Sequence, residues 1–381
     1  MIWQDRGRPA GLDLLGGPGG ADRAPGTLFI FLKESDGATS PKFDVEDERG
    51  TTWKVKLGEE ARPETAATRL LWAMGYVVDE DYYRSRIRVL SLPQLARGQE
   101  FVSEGGIVSG ARLERDPGST EAQTWSWTDN PFVGTREFNG LRVMMALLNN
   151  WDLKEVNNSA TATPSGEARF GITDLGATWG RTGNVFGRSK GVPKDYAGAP
   201  FIDKVTPTHV DFVLNSRPFL LSIVRFRSYR ERARMESVVK HIPIADARWI
   251  GGLLGDLSAE QVRDCFRAAG FSPSEVEAYA GVVLQRIAAL EALTPAPLDA
   301  APPPVKGLAA PDPRGADETS CQESICRQVP VRETLVAVGI KTHHARAIVG
   351  GFEQGAGLGG GVALTSADAI PVVEFRAFAL A

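Results

Sequence analysis

Histidine and cysteine are scarce in this 381-residue chain, which has four of the first and three of the second. Cys265, Cys321 and Cys326 are too few for a disulfide framework, and the close pair Cys321 and Cys326 has no histidine partners at metal-ligand spacing. One optional bond between those two is the most the thiols allow. His343 and His344 are adjacent and so point apart on any regular element, while His209 and His241 stand alone. Nothing here supports a zinc centre, and each lone histidine reads first as a surface or capping residue.

Other absences narrow the function further. No run of eighteen apolar residues occurs, and the first thirty residues lack a basic segment followed by an apolar one. A soluble, cytoplasmic protein is therefore expected, with no membrane span; export stays open if the true start lies upstream. The 43 basic and 47 acidic residues nearly balance, so no global field attracts nucleic acid or an anionic membrane, and no nucleic-acid partner is expected. The Gly-rich run at 16–20 has neither the Lys-Ser/Thr of a phosphate loop nor a following helix, and the run at 355–360 matches a dinucleotide fingerprint by letters only. No internal repeat is found. What remains is an ordinary globular composition, 43% hydrophobic and 24% charged, long enough for two lobes and an appendage.

In chain order, residues 1–27 read as a flexible, extended lead-in because of their Gly and Pro content. The apolar run at 28–32 suggests a buried strand, and 36–41 a turn. Phe43 and Val45, then Trp53, Val55 and Leu57, alternate with polar residues on either side of a turn at 47–50, the pattern of a β-hairpin. That alternation sets Lys54 and Lys56 on the face opposite Trp53, Val55 and Leu57. A helix follows at once: Pro63 suits its first turn, Ala67, Leu70, Leu71 and Met74 form its apolar stripe, and Gly75 caps it. Glu64 lies in its first turn, where the helix dipole alone would favour an acid. Short strands are expected at 86–90 and 110–114, and a surface loop at 117–123. Trp125 and Trp127 read as packing residues rather than a ligand platform.

A central helix is expected from Thr135 to Leu148, because Leu141, Met144, Met145 and Leu148 recur at helical spacing. It gives way abruptly to the polar stretch 149–158, Asn-Asn-Trp-Asp-Leu-Lys-Glu-Val-Asn-Asn. Phe170 and Ile172 then alternate into a strand that delivers Asp174-Leu175-Gly176. Between 181 and 196 lie Arg181, Arg188, Lys190 and Lys194 among glycines and prolines, suited either to an anionic substrate or to a solvated surface. Residues 219–241 read as helical, and Ser258 with Gln261 and Ser272 with Glu275 form capping boxes that open two more helices, whose Arg and Glu residues are expected on a solvated face. A Pro/Ala-rich linker at 294–318 and a small appendage at 319–381 complete the chain.

Asp152, Lys154 and Asn157 stand at i, i+2 and i+5, followed by the Asp-Leu-Gly at 174–176. In these motifs the chain resembles the protein-kinase-like superfamily over residues 40–180, with atypical kinases of the HipA and secretory type as the nearest functional comparison. The wording of the loop is also similar to that of a bacterial group with an Asn-Asn-Trp-Asp-Leu-Lys core. The resemblance implies an α+β, two-lobed fold with a small β-rich N-lobe at 28–116 and a mainly α C-lobe at 117–293. It implies ATP and magnesium as cofactors and a protein or small-molecule hydroxyl as acceptor. It also implies roles: Lys56, with Lys54 as fallback, on the nucleotide phosphates and Glu64 pairing the lysine; Asp152 as base; Lys154 on the transferring phosphoryl; Asn157 (or Asn158, if the loop is shifted by one) and Asp174 on the metal.

The chain departs from the pattern in four places. It has no Gly-x-Gly-x-x-Gly ahead of the lysines, only Gly37 with Ser40. Trp151 stands where kinases carry Arg, Lys56 and Glu64 are close in sequence, and an Ala-Pro-Glu anchor is missing. Three functions remain in play: γ-phosphoryl transfer, a non-catalytic binding module on the same fold, and AMP transfer.

Overall fold

The computed structural model describes residues 1–35, 40–116, 118, 123–162, 166–181, 188–214 and 226–294. These belong to the first of two compact units, Met1–Pro304 and Val305–Ala381. Part of the turn at 36–41, the start of the helix expected at 219–241, nearly all of the linker, the appendage, Cys321, Cys326, His343, His344 and the glycine run at 355–360 lie outside the described residues.

The N-terminal part is β-rich. Its strands are β1 (Leu28–Ser35), β2 (Lys42–Asp47), β3 (Thr52–Lys56), β4 (Val77–Val78), β5 (Asp81–Leu90), β6 (Val102–Ser103) and β7 (Ile107–Arg115). The expected hairpin forms as β2 and β3, with Phe43 opposite Val55 and Val45 opposite Trp53. The strands close on themselves: β3–β2–β1–β5–β7 runs in order and β3 also pairs with β7. Closure satisfies the backbone groups of strands that would otherwise be edges. It encloses a core of Phe29, Phe43, Val45, Trp53, Val55, Leu113 and their neighbours. The run at 28–32 is not uniformly buried, because a strand shows alternate residues to opposite sides: Phe29 points into the core while Ile30 and Leu32 are exposed.

Helix α1 (Ala61–Ala73) leaves β3 after four residues and ends where the sequence indicates, with Gly75 at φ 91° donating to the Trp72 carbonyl. Its apolar stripe, including Leu70, Leu71 and Met74, joins the core of the helical part rather than that of the barrel. The helix carrying Glu64 is thus anchored in one core while the strand carrying Lys56 belongs to the other. The lead-in also differs from expectation. Residues 1–27 contain three short 3₁₀ turns, and outside them Ile2 and Leu14 are buried with the helical core, an apolar burial that overrides the Gly/Pro content.

The helical part comprises α2 (Arg136–Leu148), α3 (Pro193–Gly198), α4 (Phe226–Ser237), α5 (Ile244–Gly255), α6 (Ala259–Ala268) and α7 (Pro273–Glu291). Both capping boxes are present at α6 and α7. Thr135 caps α2 by accepting from the Phe138 amide, and Trp125, Trp127 and Phe138 pack against one another in the core. Two three-stranded sheets sit beside the helices. In one, β8 (Asn158–Ala162) pairs antiparallel with β9 (Ala168–Ile172), which also pairs with β4; in the other, β10 (Ile202–Val205), β11 (His209–Phe212) and β12 (Ile242–Pro243) are joined. The second sheet has no clear sequence signal, since its strands are only two to four residues long.

Candidate functional site

The site is built where α2 ends. Asn149 adopts φ 55°, a left-handed conformation that Asn tolerates better than most residues, and its side-chain amide donates to the Gly180 carbonyl at 2.6 Å. From far along the chain, Arg286 of α7 donates to the Leu147 carbonyl at 2.9 Å and stacks on Tyr196 at 4.2 Å. It satisfies backbone acceptors that the helix end leaves open. An arginine expected on a solvated face is therefore buried, because the end of α2 needs a donor there.

The polar loop then turns sharply. The Asn150 side chain accepts from the Asp152 amide at 3.1 Å, and the Asn157 Nδ2 donates to the Asp152 carbonyl at 2.7 Å. Asn157 Oδ1 has no protein donor among the described residues. Because Asn158 pairs with Ile172 across the β8–β9 hairpin and Thr173 donates to the Asn157 carbonyl at 2.9 Å, Asn157 and Asp174 come to the same end of that hairpin. Asn158 instead points away, donating to the buried Trp125 carbonyl at 2.9 Å. The register therefore sets Asn157, rather than the Asn158 side chain, at the Asp174 end of the hairpin. The Asp152 carboxylate is held by Lys154 at 2.8 Å, and both remain partly solvated.

Opposite lies Lys56. Its ammonium meets Glu60 at 2.6 Å, Glu64 at 2.7 Å and Asp174 at 3.1 Å. Barrel closure explains why Glu64 sits there. The β3–β7 register sets Lys56 beside Arg112, two cations on adjacent strands, and Glu64 stands between them, 3.4 Å from Arg112. Arg112 in turn contacts Asp81 at 2.8 Å, and Asp81 holds Arg69 at 2.7 Å. Burial alone would lower the Lys56 pKa, but the carboxylates of Glu64, Asp174 and Glu60 outweigh it and hold the ammonium above its ordinary value. Burial raises the Glu64 pKa against the pull of Arg112 and Lys56. For Glu60 burial also acts upward, but Lys56 and its hydrogen bonds win and bring it down to about 2.

Lys54 lies apart from this cluster. It is half-exposed and faces Glu114 at 3.5 Å, across the β3–β7 pair. The basic segment divides as well. Arg188 stacks on Trp151 at 4.4 Å, and Lys190 approaches the same ring and reaches Glu60 at 2.6 Å. Arg181 and Lys194 are exposed. Trp151 thus receives cations from the segment after Asp-Leu-Gly, where an arginine would repel them. Gly176 allows close approach to the Lys56 cluster: a Cβ there would fall 2.6 Å from the Glu60 Cβ. Beside the 149–158 loop lies a cavity of about 620 Å³ lined by Trp127, Lys154, Val156, Arg230, Arg234 and Met235, among others.

Sequence reading missed Glu60, Arg112 and Arg286. Glu60 precedes the helix and carries only the ordinary signal of an acid near an N-terminus, and the partners of Arg112 and Arg286 are distant in sequence.

No described protein family matches the chain, and no curated protein does. Among solved structures it is similar to the Helicobacter pylori proinflammatory kinase CtkA, at 12% identity and a TM-score of 0.43 over 70% of this chain and 97% of that one. It is also similar to the Golgi casein kinase, at 9% identity and a TM-score of 0.30 over 69% of this chain and 75% of that one. Kinases are thus among the structures it resembles, at the coarse level those scores describe.

Proposed function

We propose that the chain is an atypical kinase-like phosphotransferase that moves the γ-phosphoryl of ATP, with magnesium, to a hydroxyl of a protein or small molecule. The observation that carries this reading is the convergence of Lys56 with its buried partner Glu64, Asp174 at 3.1 Å from Lys56, and Asn157, which is tethered to the Asp152 carbonyl and accepts from the amide next to Asp174.

The residues fit the cofactors. Asp174 uses Oδ1 for Lys56 and for the Gly176 amide at 3.2 Å, leaving Oδ2, and Asn157 leaves Oδ1, so one carboxylate and one amide oxygen suit a hard divalent cation. When bound, magnesium would neutralise phosphate charge there. Lys56 would hold nucleotide phosphates, with Glu64 and Arg112 fixing its direction. Asp152 would accept the proton of the acceptor hydroxyl as its oxygen bonds to phosphorus and the bond to the ADP oxygen breaks. Lys154, now on Asp152, would face the phosphoryl in transit. The cavity beside Lys154 and Val156 would admit the acceptor.

Incubation with γ-labelled and α-labelled ATP tests this. Label transferred from the γ position only is the expected result. Transfer from the α position would make the chain an AMP transferase, and ATP binding without transfer of either label would make it a binding module.

A further inference from the structure

Lys56 has three N–H donors, and three carboxylates already lie within 3.1 Å of it: Glu60, Glu64 and Asp174. A phosphate oxygen can reach this ammonium only if one of them withdraws. Glu64 is buried between Lys56 and Arg112, and its removal would leave two neighbouring cations unbalanced. Asp174 is the proposed metal ligand. Glu60 is different in kind. It precedes the first residue of α1, and its other partners come from outside that helix: Ser40 Oγ at 2.7 Å on one oxygen and Lys190 at 2.6 Å on the other.

One carboxylate is therefore bracketed by two ammonium groups, Lys56 from the barrel and Lys190 from the segment after Asp-Leu-Gly. Two cations around one anion, with a hydroxyl donor beside them, is also a phosphate-binding set. We propose that Lys56, Lys190 and Ser40 form a phosphate subsite whose place-holder is the Glu60 carboxylate, and that the polyphosphate of a nucleotide displaces it. This rests on the nucleotide reading above and adds Lys190 to the nucleotide-binding residues. Gly176, whose lack of a side chain lets Glu60 approach, completes the arrangement.

The consequence is a sign. A carboxylate that only supports Lys56 weakens nucleotide binding when neutralised; one that occupies the phosphate position strengthens it. Calorimetric titration of the full chain with ATP, ADP and AMP in magnesium separates the two. The Glu60→Gln variant is expected to bind ATP and ADP roughly tenfold more tightly than wild type while AMP, with its single phosphate, changes little, and adding Lys190→Met to that variant is expected to reverse the gain. Wild-type ATP binding that Glu60→Gln leaves equal or weaker, or a gain equal for AMP, overturns the subsite while leaving the nucleotide reading intact. Failure of wild type and Glu60→Gln alike to bind ATP overturns both.

Discussion

The two ends of the candidate site are built on opposite principles. At the Lys56 end, ammonium and carboxylate are both about 2% exposed and each has several charged partners, locked by barrel closure on one side and by α1 on the other. At the Asp152 end, Asp152 and Lys154 keep 22% and 44% of their side-chain surface, and Val156 stands 71% exposed beside an open cavity. Buried charge is costly unless its partners are in place, so Lys56, Glu64 and Arg112 at the first end hold one another in a single arrangement. The second end keeps a solvated carboxylate able to meet an incoming hydroxyl. Under the proposed function, the contrast would be a division of labour between a preset anion-binding end and an adaptable acceptor end.

The largest expected effect separates the two ends by chemistry. Asp152→Ala should lower transfer by ~10²–10⁴-fold, the usual worth of a general base, while leaving ATP affinity near wild type in a binding titration. A parallel loss of binding would mean that Asp152 belongs to the nucleotide end. Next comes stability. Lys56→Met leaves Glu60, Glu64 and Asp174 without their common cation and should cost about 3–5 kcal/mol in denaturant unfolding, whereas Lys154→Ala should cost less than ~1 kcal/mol. Equal costs would erase the distinction between the ends.

A smaller effect concerns acid. The Glu60 pKa is depressed to about 2, so the stabilisation it provides is complete above its ordinary value near 4.5 and is lost as pH falls from there toward 2. Thermal melts over that window should fall less steeply for Glu60→Gln than for wild type; parallel slopes would show that Glu60 is not ion-paired in solution. The smallest effect is Lys54→Ala, expected within ~0.5 kcal/mol of wild type and without change in ATP affinity. Two lysines two residues apart on one strand would then differ only through what the neighbouring strand brings to each.

That pair also shows what the sequence could reveal. Alternation in β3 put Lys54 and Lys56 off the apolar face, and the helix with Glu64 was visible from its stripe and its terminal Gly75. The choice between the lysines was not local. It depends on Arg112 opposite Lys56 and Glu114 opposite Lys54, a register set by a strand more than fifty residues away. That Asp152, Lys154 and Asn157 share one short loop, and that Asp174 follows closely on a strand, was legible because both features are local in sequence. Glu60 was not, since its meaning comes from Lys190 and Ser40 folding over it. Barrel closure and Arg286 were hidden for the same reason: both are long-range, and neither alters local periodicity.

The central claim, a nucleotide and metal site on Lys56 and Asp174, meets its most direct test in a thermal shift of the full chain with ATP and magnesium, on wild type and Asp174→Ala. At ATP near a hundred times its dissociation constant, wild type should gain about 4 °C or more, and Asp174→Ala little or nothing. A wild-type melt unmoved by ATP and magnesium, or a shift fully retained in Asp174→Ala, would contradict it.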